Sequence, residues 1–249
     1  MHKLFKSLSL LFVFLMVPTV GFSLCAEFKG KVDVAPAYIH IDLLESGKTR
    51  HEMDLPAVKA DAVIFFTDGG WCLKPTVLYG TNDGSIFNGG LGFGHYTPVT
   101  DWLALTPLLG VAYTDLHAHT TIPIPGFGGV KANEKNASVS GYVGLEFNFK
   151  FSDSFRGTAV YQYSWSRSHT QIRLAKPFPV VKSNDHSEGP SYSVQIEKDL
   201  NKKWSVNLGA AYNLGLSKEK HGLRAYGAKI GIAYWFDVYG DQKVDVEAL

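Results

Sequence analysis

The sequence predicts an all-β fold: a single antiparallel up-and-down transmembrane β-barrel of ten strands, with eight as the alternative count. Three observations predict it. Long stretches alternate apolar and polar residues with a period of two, the period of a strand. A short polar turn closed by an aromatic recurs between those stretches. The longest apolar run sits at the N-terminus and is too short to anchor a helix in a membrane, which takes roughly 20 residues.

Composition narrows the field further. The chain has 249 residues, 24 Lys+Arg against 23 Asp+Glu, 45% apolar and 19% charged residues. A net charge of +1 gives no support to a nucleic-acid partner. The low charge and high apolar content exclude a polar disordered chain. Two cysteines exclude a disulfide-stapled scaffold.

Residues 1–26 read as a signal peptide. His2, Lys3 and Lys6 form a basic start, Leu8 to Val17 an apolar run, and Ala26 the last residue before cleavage. Cleavage after Ser23 and lipidation of Cys25 are the alternatives, the second opposed by the bulk of Leu24. Residues 27–236 form the barrel and 237–249 a short periplasmic tail.

The strands fall at roughly 31–44, 53–66, 71–79, 87–98, 102–116, 137–151, 155–171, 191–198, 204–217 and 223–236. The first two are the least regular, because Pro36 and Pro56 interrupt them, and a bulge is expected there. In the fourth, the Gly89–Gly94 run reads as glycines relieving crowding in a small barrel, since no helix follows to make a dinucleotide loop. The sixth sets Val139, Gly141, Val143, Leu145, Phe147 and Phe149 against Ser140, Tyr142, Gly144, Glu146, Asn148 and Lys150. The ninth does the same with Trp204, Val206, Leu208 and Tyr212 against Ser205, Asn207, Gly209 and Asn213. Runs this long exceed an ordinary strand of about 5–6 residues and suit a tilted membrane strand of about 9–11. The apolar parity fits lipid contact with aromatic girdles; the small polar parity fits a narrow, watery lumen.

The turns are Thr67–Trp71, Thr100–Trp102, Ser152–Phe155 and Asp199–Trp204, each with an Asp whose carboxylate can accept backbone N–H groups. They are expected in the periplasm with both termini. The connections at 45–52, 80–85, 117–136, 173–189 and 217–222 are expected as the longer outer loops.

On the alternation, the turn repeat and the last strand Gly227–Phe236, the chain resembles small bacterial outer-membrane β-barrel proteins, in the broad sense of the OmpA-transmembrane-like and opacity-like groups. The resemblance covers about residues 28–236 and is architectural. It implies outer-membrane lipid and the barrel-assembly machinery as partners, with Tyr234 and Phe236 as the assembly signal. The thirteen residues after Phe236 depart from that pattern.

Charges on the lumen parity are Lys74, Glu146, Lys150, Arg156, Glu197 and Lys229. Opposite signs in a confined interior pair, because unpaired charges there cost several kcal/mol. They form either a structural ion-pair plug or a selective constriction. Six histidines (51, 117, 119, 169, 186 and 221) fall at the outer rim. His117 and His119 are two apart, a spacing that allows joint metal ligation, and a rim of histidines can respond to pH. Ser166, Ser168 and His169 cluster near a strand end without specifying a catalytic site. The expected function is structural or surface-interaction, with surface partners at 117–136 and 173–189, no enzyme activity and no cofactor. The alternatives are a small-solute channel, a rim-site enzyme and a soluble exported sandwich.

Overall fold

The computed structural model describes residues 29–66, 70–124, 126, 128–175 and 178–237. The signal segment 1–26 with Cys25, part of the Thr67–Trp71 turn, and 238–249 of the expected tail lie outside the described residues. Eleven strands form one sheet: β1 Lys29–Glu45, β2 Lys48–Phe65, β3 Trp71–Thr81, β4 Gly84–His95, β5 Thr97–Thr100, β6 Leu103–Ile124, β7 Gly128–Ser152, β8 Phe155–Leu174, β9 Val180–Asp199, β10 Trp204–Leu216 and β11 Gly222–Asp237. Strands β4 and β5 both pair with β6 and are one stave broken at Tyr96, so the sheet has ten staves. Every pairing is antiparallel, and β1 closes on β11 from Lys29↔Asp237 to Leu44↔Gly222. The ten-strand up-and-down barrel is therefore as the sequence predicts.

The prolines sit where the ladder needs no donor. The β1–β11 pairs skip Ala35 and Pro36, the β2–β3 pairs skip Pro75, and the β9–β10 pairs skip Pro190. The β2–β3 pairing starts at Ala57, one residue past Pro56. Each proline pairs in register on its other side, Pro36 with Val58 and Pro56 with Tyr38 among them. The bulge expected at Pro36 and Pro56 is thus absent, because a missing N–H on one edge leaves the opposite edge intact. The register shift of this hairpin lies at Leu43/Leu44 instead.

The outer connections also differ from expectation. Segment 45–52 is a two-residue turn, Ser46 and Gly47, both at positive φ, as a tight hairpin between right-twisted strands requires. Segments 117–136 and 173–189 are strand for most of their length: β6–β7 pair to Ile124↔Gly128 and β8–β9 to Arg173↔Val180. Ladder hydrogen bonds continue past the barrel wall, so β6–β9 stand above it as a four-stranded sheet. At the other end, in two of the four turns, Thr100 and Asn201 accept backbone N–H groups. Thr100 Oγ1 accepts from Leu103 N at 3.1 Å, and Asn201 Oδ1 from Trp204 N at 3.0 Å.

The two parities separate as predicted. Leu208, Ile230, Val194, Val143 and Leu109 all face outwards and are about half exposed or more. Trp71, Trp102, Trp204 and Tyr234 ring the turn end of that face; Tyr38, Tyr113, Trp165 and Tyr226 ring the other.

Candidate functional site

The lumen is the place where this sequence concentrates charge. Strand alternation aims Lys31 and Asp33 of β1, Lys59 and Asp61 of β2, Lys74 of β3, Glu146 of β7, Arg156 of β8, Glu197 and Asp199 of β9 and Lys229 of β11 inwards. They form three groups toward the turn end. Lys74 Nζ lies 2.5 Å from both oxygens of Glu146. Glu197 accepts from Lys31 at 2.5 Å, Ser205 at 2.7 Å and Arg156 at 3.1 Å, and Arg156 also reaches Asp199 at 2.6 Å. Arg156 and Lys31 both lie over the Trp235 ring, 4.6 and 5.2 Å from its centroid. Lys229 bridges Asp33 at 2.8 Å and Asp61 at 3.1 Å, while Asn207 donates to Asp33 and Thr76 to Asp61.

Of the six residues singled out in the sequence, Lys74 and Glu146 pair with each other, as do Arg156 and Glu197. Lys229 pairs with two acids that sequence reasoning missed. Lys150 points to the turn end, with Asp153 at 3.3 Å. Lys31, Asp33 and Asp61 were missed because the prolines made the first two strands look irregular, although strict alternation from Lys31 to Ala37 carried the signal.

Away from the turn end, one side of the lumen is not watery, contrary to expectation. Ile39, Ile41, Leu43, Met53, Leu55, Ala57, Ile86, Leu116 and Ala118 all face inwards and form a single buried cluster. The β8–β10 side is polar: Ser164, Ser166, Gln195 and Asn213 face the bore. Between the two storeys the Tyr142 ring lies across a glycine pair, Gly92 and Gly110.

Ser166 bonds Ser187 at 2.7 Å, and Ser168 bonds the Asp185 carbonyl at 3.4 Å. His169 points outwards to Asn184, so strand alternation separates it from both serines. His117 and His119 share the outward face; His117 lies 3.3 Å from Asp115, and His119 bonds Asn133 at 2.6 Å. Among the described residues no group of three or more His, Cys, Asp or Glu is placed to hold a metal.

A rim cluster on β1, β2 and β11 escaped the sequence reading. His40 stacks on Tyr226 with centroids 4.8 Å apart, bonds Asp54 at 2.8 Å and lies 3.4 Å from Asp42, which Arg224 holds at 2.7 Å. Outward-pointing charges do not stay in hydrocarbon, so the apolar belt ends at Tyr38 and this cluster lies above it. The bond to Asp54 raises the His40 pKa, and the same bond lowers that of Asp54. The folded imidazole therefore keeps its proton to higher pH than the unfolded one. Its contribution is complete below about pH 6.5 and fades as pH rises through the folded value. Amide protection factors at the 38–56 hairpin, each taken against the unstructured exchange rate at the same pH, are expected to be larger at pH 6 than at pH 8. Asp54→Asn should abolish that difference; its persistence in the variant would exclude His40 as the cause.

No family model matches the chain, and no curated protein matches it. Among solved structures, the outer membrane protease OmpT from Escherichia coli superposes with a TM-score of 0.58 at 12% identity, over 88% of this chain and 99% of that one. The chain has the fold of the bacterial outer-membrane β-barrels. Other barrels match at lower scores. The translocator domain of the autotransporter NalP from Neisseria meningitidis gives 0.47 at 9% identity, over 94% and 96% of the two chains. The attachment invasion locus protein Ail of Yersinia pestis gives 0.36 at 8% identity, over 85% and 99%. At such identities none of these proteins lends this chain a residue's role.

Proposed function

We propose that this chain is an integral outer-membrane barrel with a structural and surface-interaction role, its lumen occluded by its own side chains. In this reading residues 1–26 direct export, the short turns and both termini face the periplasm, and Tyr234 and Phe236 on the outer face of the last strand are read by the assembly machinery. The observation that carries it is the division of faces. The outward side is an apolar belt between two aromatic rings, and the inward charges are neutralised by one another. A conducting bore would keep a continuous line of solvated polar groups; here Lys74–Glu146, the Glu197 group, Tyr142 and the apolar cluster lie along the path.

A channel reading has one observation in its favour. Ala211 and Asn213 face inwards on β10 and are exposed, so the outer mouth opens beside β10. Planar-bilayer recording separates the two. The refolded full chain is expected to give no conductance steps, while steps that vanish on adding a bulky side chain at Ala211 would establish the channel. Carbonate-resistant pelleting and a gel mobility that changes on boiling are expected; a protein extracted by carbonate is not an integral barrel.

A further inference from the structure

The outward face of the β6–β9 extension carries an unbalanced positive charge directly above the apolar belt. Strand parity puts Lys131 and Lys135 of β7, Arg167 and Arg173 of β8 and Lys182 of β9 on that face, and all five are exposed. The acids on the same face are Asp115 and Glu188. Asp115 is engaged by Lys135 at 3.5 Å and by His117. Among the described residues, Lys131, Arg167, Arg173 and Lys182 make no ion pair. His169 and His186 lie among them, and His117 and His119 flank them on β6. The opposite wall differs: there Asp42, Glu52 and Asp54 face outwards with Arg224 and His40. The charge is therefore concentrated on one side of the rim.

The register sets the spacing. Lys135 pairs with Gln171, and Gln171 with Lys182, so the two lysines stand two strands apart, about 10 Å. Arg173 is one step further out, opposite Asn133. The height is set by the belt. Val139 is 61% exposed on β7 and Trp165 49% on β8, and Arg167 is the next outward residue after Trp165, opposite Val139. An aromatic such as Trp165 marks the boundary between hydrocarbon and headgroups. At about 3.4 Å per residue along a tilted strand, the cations begin about 5 Å above it and continue upwards. That is the depth of lipid phosphates. Several arginines and lysines held on a rigid sheet at this spacing suit an anion with more than one phosphate, which arginine can grip with two bonds at once.

We propose that this face is a binding site for a multiply phosphorylated lipid headgroup of the outer leaflet, which packs its chains on the belt at Val139 and Trp165 and sets its phosphates among the five cations. The site deepens the integral-barrel reading and rests on it.

Native mass spectrometry of the full chain in detergent, titrated with bisphosphorylated lipid A, tests it. Retention of the lipid is expected, with at least tenfold weaker retention of lipid A stripped of both phosphates. The variant Lys131→Gln/Lys135→Gln/Arg167→Gln/Arg173→Gln/Lys182→Gln should lose the preference. Lys48→Gln/Lys218→Gln/Lys220→Gln, which removes three lysines from exposed positions elsewhere, should keep it. Boiling-dependent mobility reports that each variant is folded. Equal retention with and without phosphates, or an unchanged preference in the five-residue variant, overturns the proposal. So does binding of soluble heparin at the same residues with no lipid preference. Carbonate extraction of the wild-type chain would instead remove the membrane reading beneath it, so the two failures are told apart.

Discussion

Replacing Glu197 with leucine is expected to lower the unfolding free energy by about 3 kcal/mol, the size associated with stranding a buried charge. Glu197 is 5% exposed and accepts from Lys31, Arg156 and Ser205. Arg156 would keep Asp199 and the Trp235 face, so the stranded cation is Lys31. Urea unfolding in micelles, followed by tryptophan fluorescence and by the boiling-dependent mobility, measures the loss. The combination Glu197→Leu/Lys31→Met should recover most of it, since removing both charges leaves none unpaired. If the single substitution is neutral, the lumen around Glu197 is wet enough to solvate Lys31, and the occluded interior proposed above is wrong there.

The second large effect separates two glycines that lie under the same ring. A Cβ at Gly92 would come 2.8 Å from the Tyr142 hydroxyl and no nearer than 3.5 Å to anything else. A Cβ at Gly110 would come 2.4 Å from the Tyr142 ring and 2.5 Å from the Leu91 carbonyl oxygen. Both alanine substitutions should destabilise, by about 1–3 kcal/mol for overpacking. Tyr142→Phe should rescue Gly92→Ala, because it removes the one offending atom. It should not rescue Gly110→Ala, where the backbone of the neighbouring strand also blocks the space. Rescue at both sites would mean that the strands can separate at Gly110 at little cost, contrary to a tightly paired wall.

Much of the architecture was legible because a membrane barrel writes its faces into the sequence one residue at a time. Val206, Leu208 and Ile230 against Ser205, Asn207 and Lys229 needed no tertiary information. Partner choice was not legible. Strands are staggered around the barrel, so Lys229 on β11 meets Asp61 two strands away, a relation fixed by shear rather than by spacing. The apolar cluster at Ile39, Leu55 and Leu116 was hidden for a different reason. Along the outer halves of β1 and β2 the in–out contrast reverses, with Ile39, Ile41, Met53 and Leu55 inside and His40, Asp42, Glu52 and Asp54 outside, so alternation alone gave no consistent face there. His40 went unnoticed because its partners Asp54 and Tyr226 come from two other strands. The height of the β6–β9 sheet was masked by Gly, Pro, Lys and His, residues typical of loops, which here sit in paired strands at the tips.

The ionic storey joins the two ends of the polypeptide. Lys31 and Asp33 in the first strand are held by Glu197, Asn207 and Lys229 in the last three. A chain cut short before β9 would present Lys31 and Asp33 with no counter-charge from that end, and its opening strand would carry bare ions into a greasy medium. Closure therefore ties the first strand to the last three: only a chain that runs through its final strands can neutralise what its first strand brought.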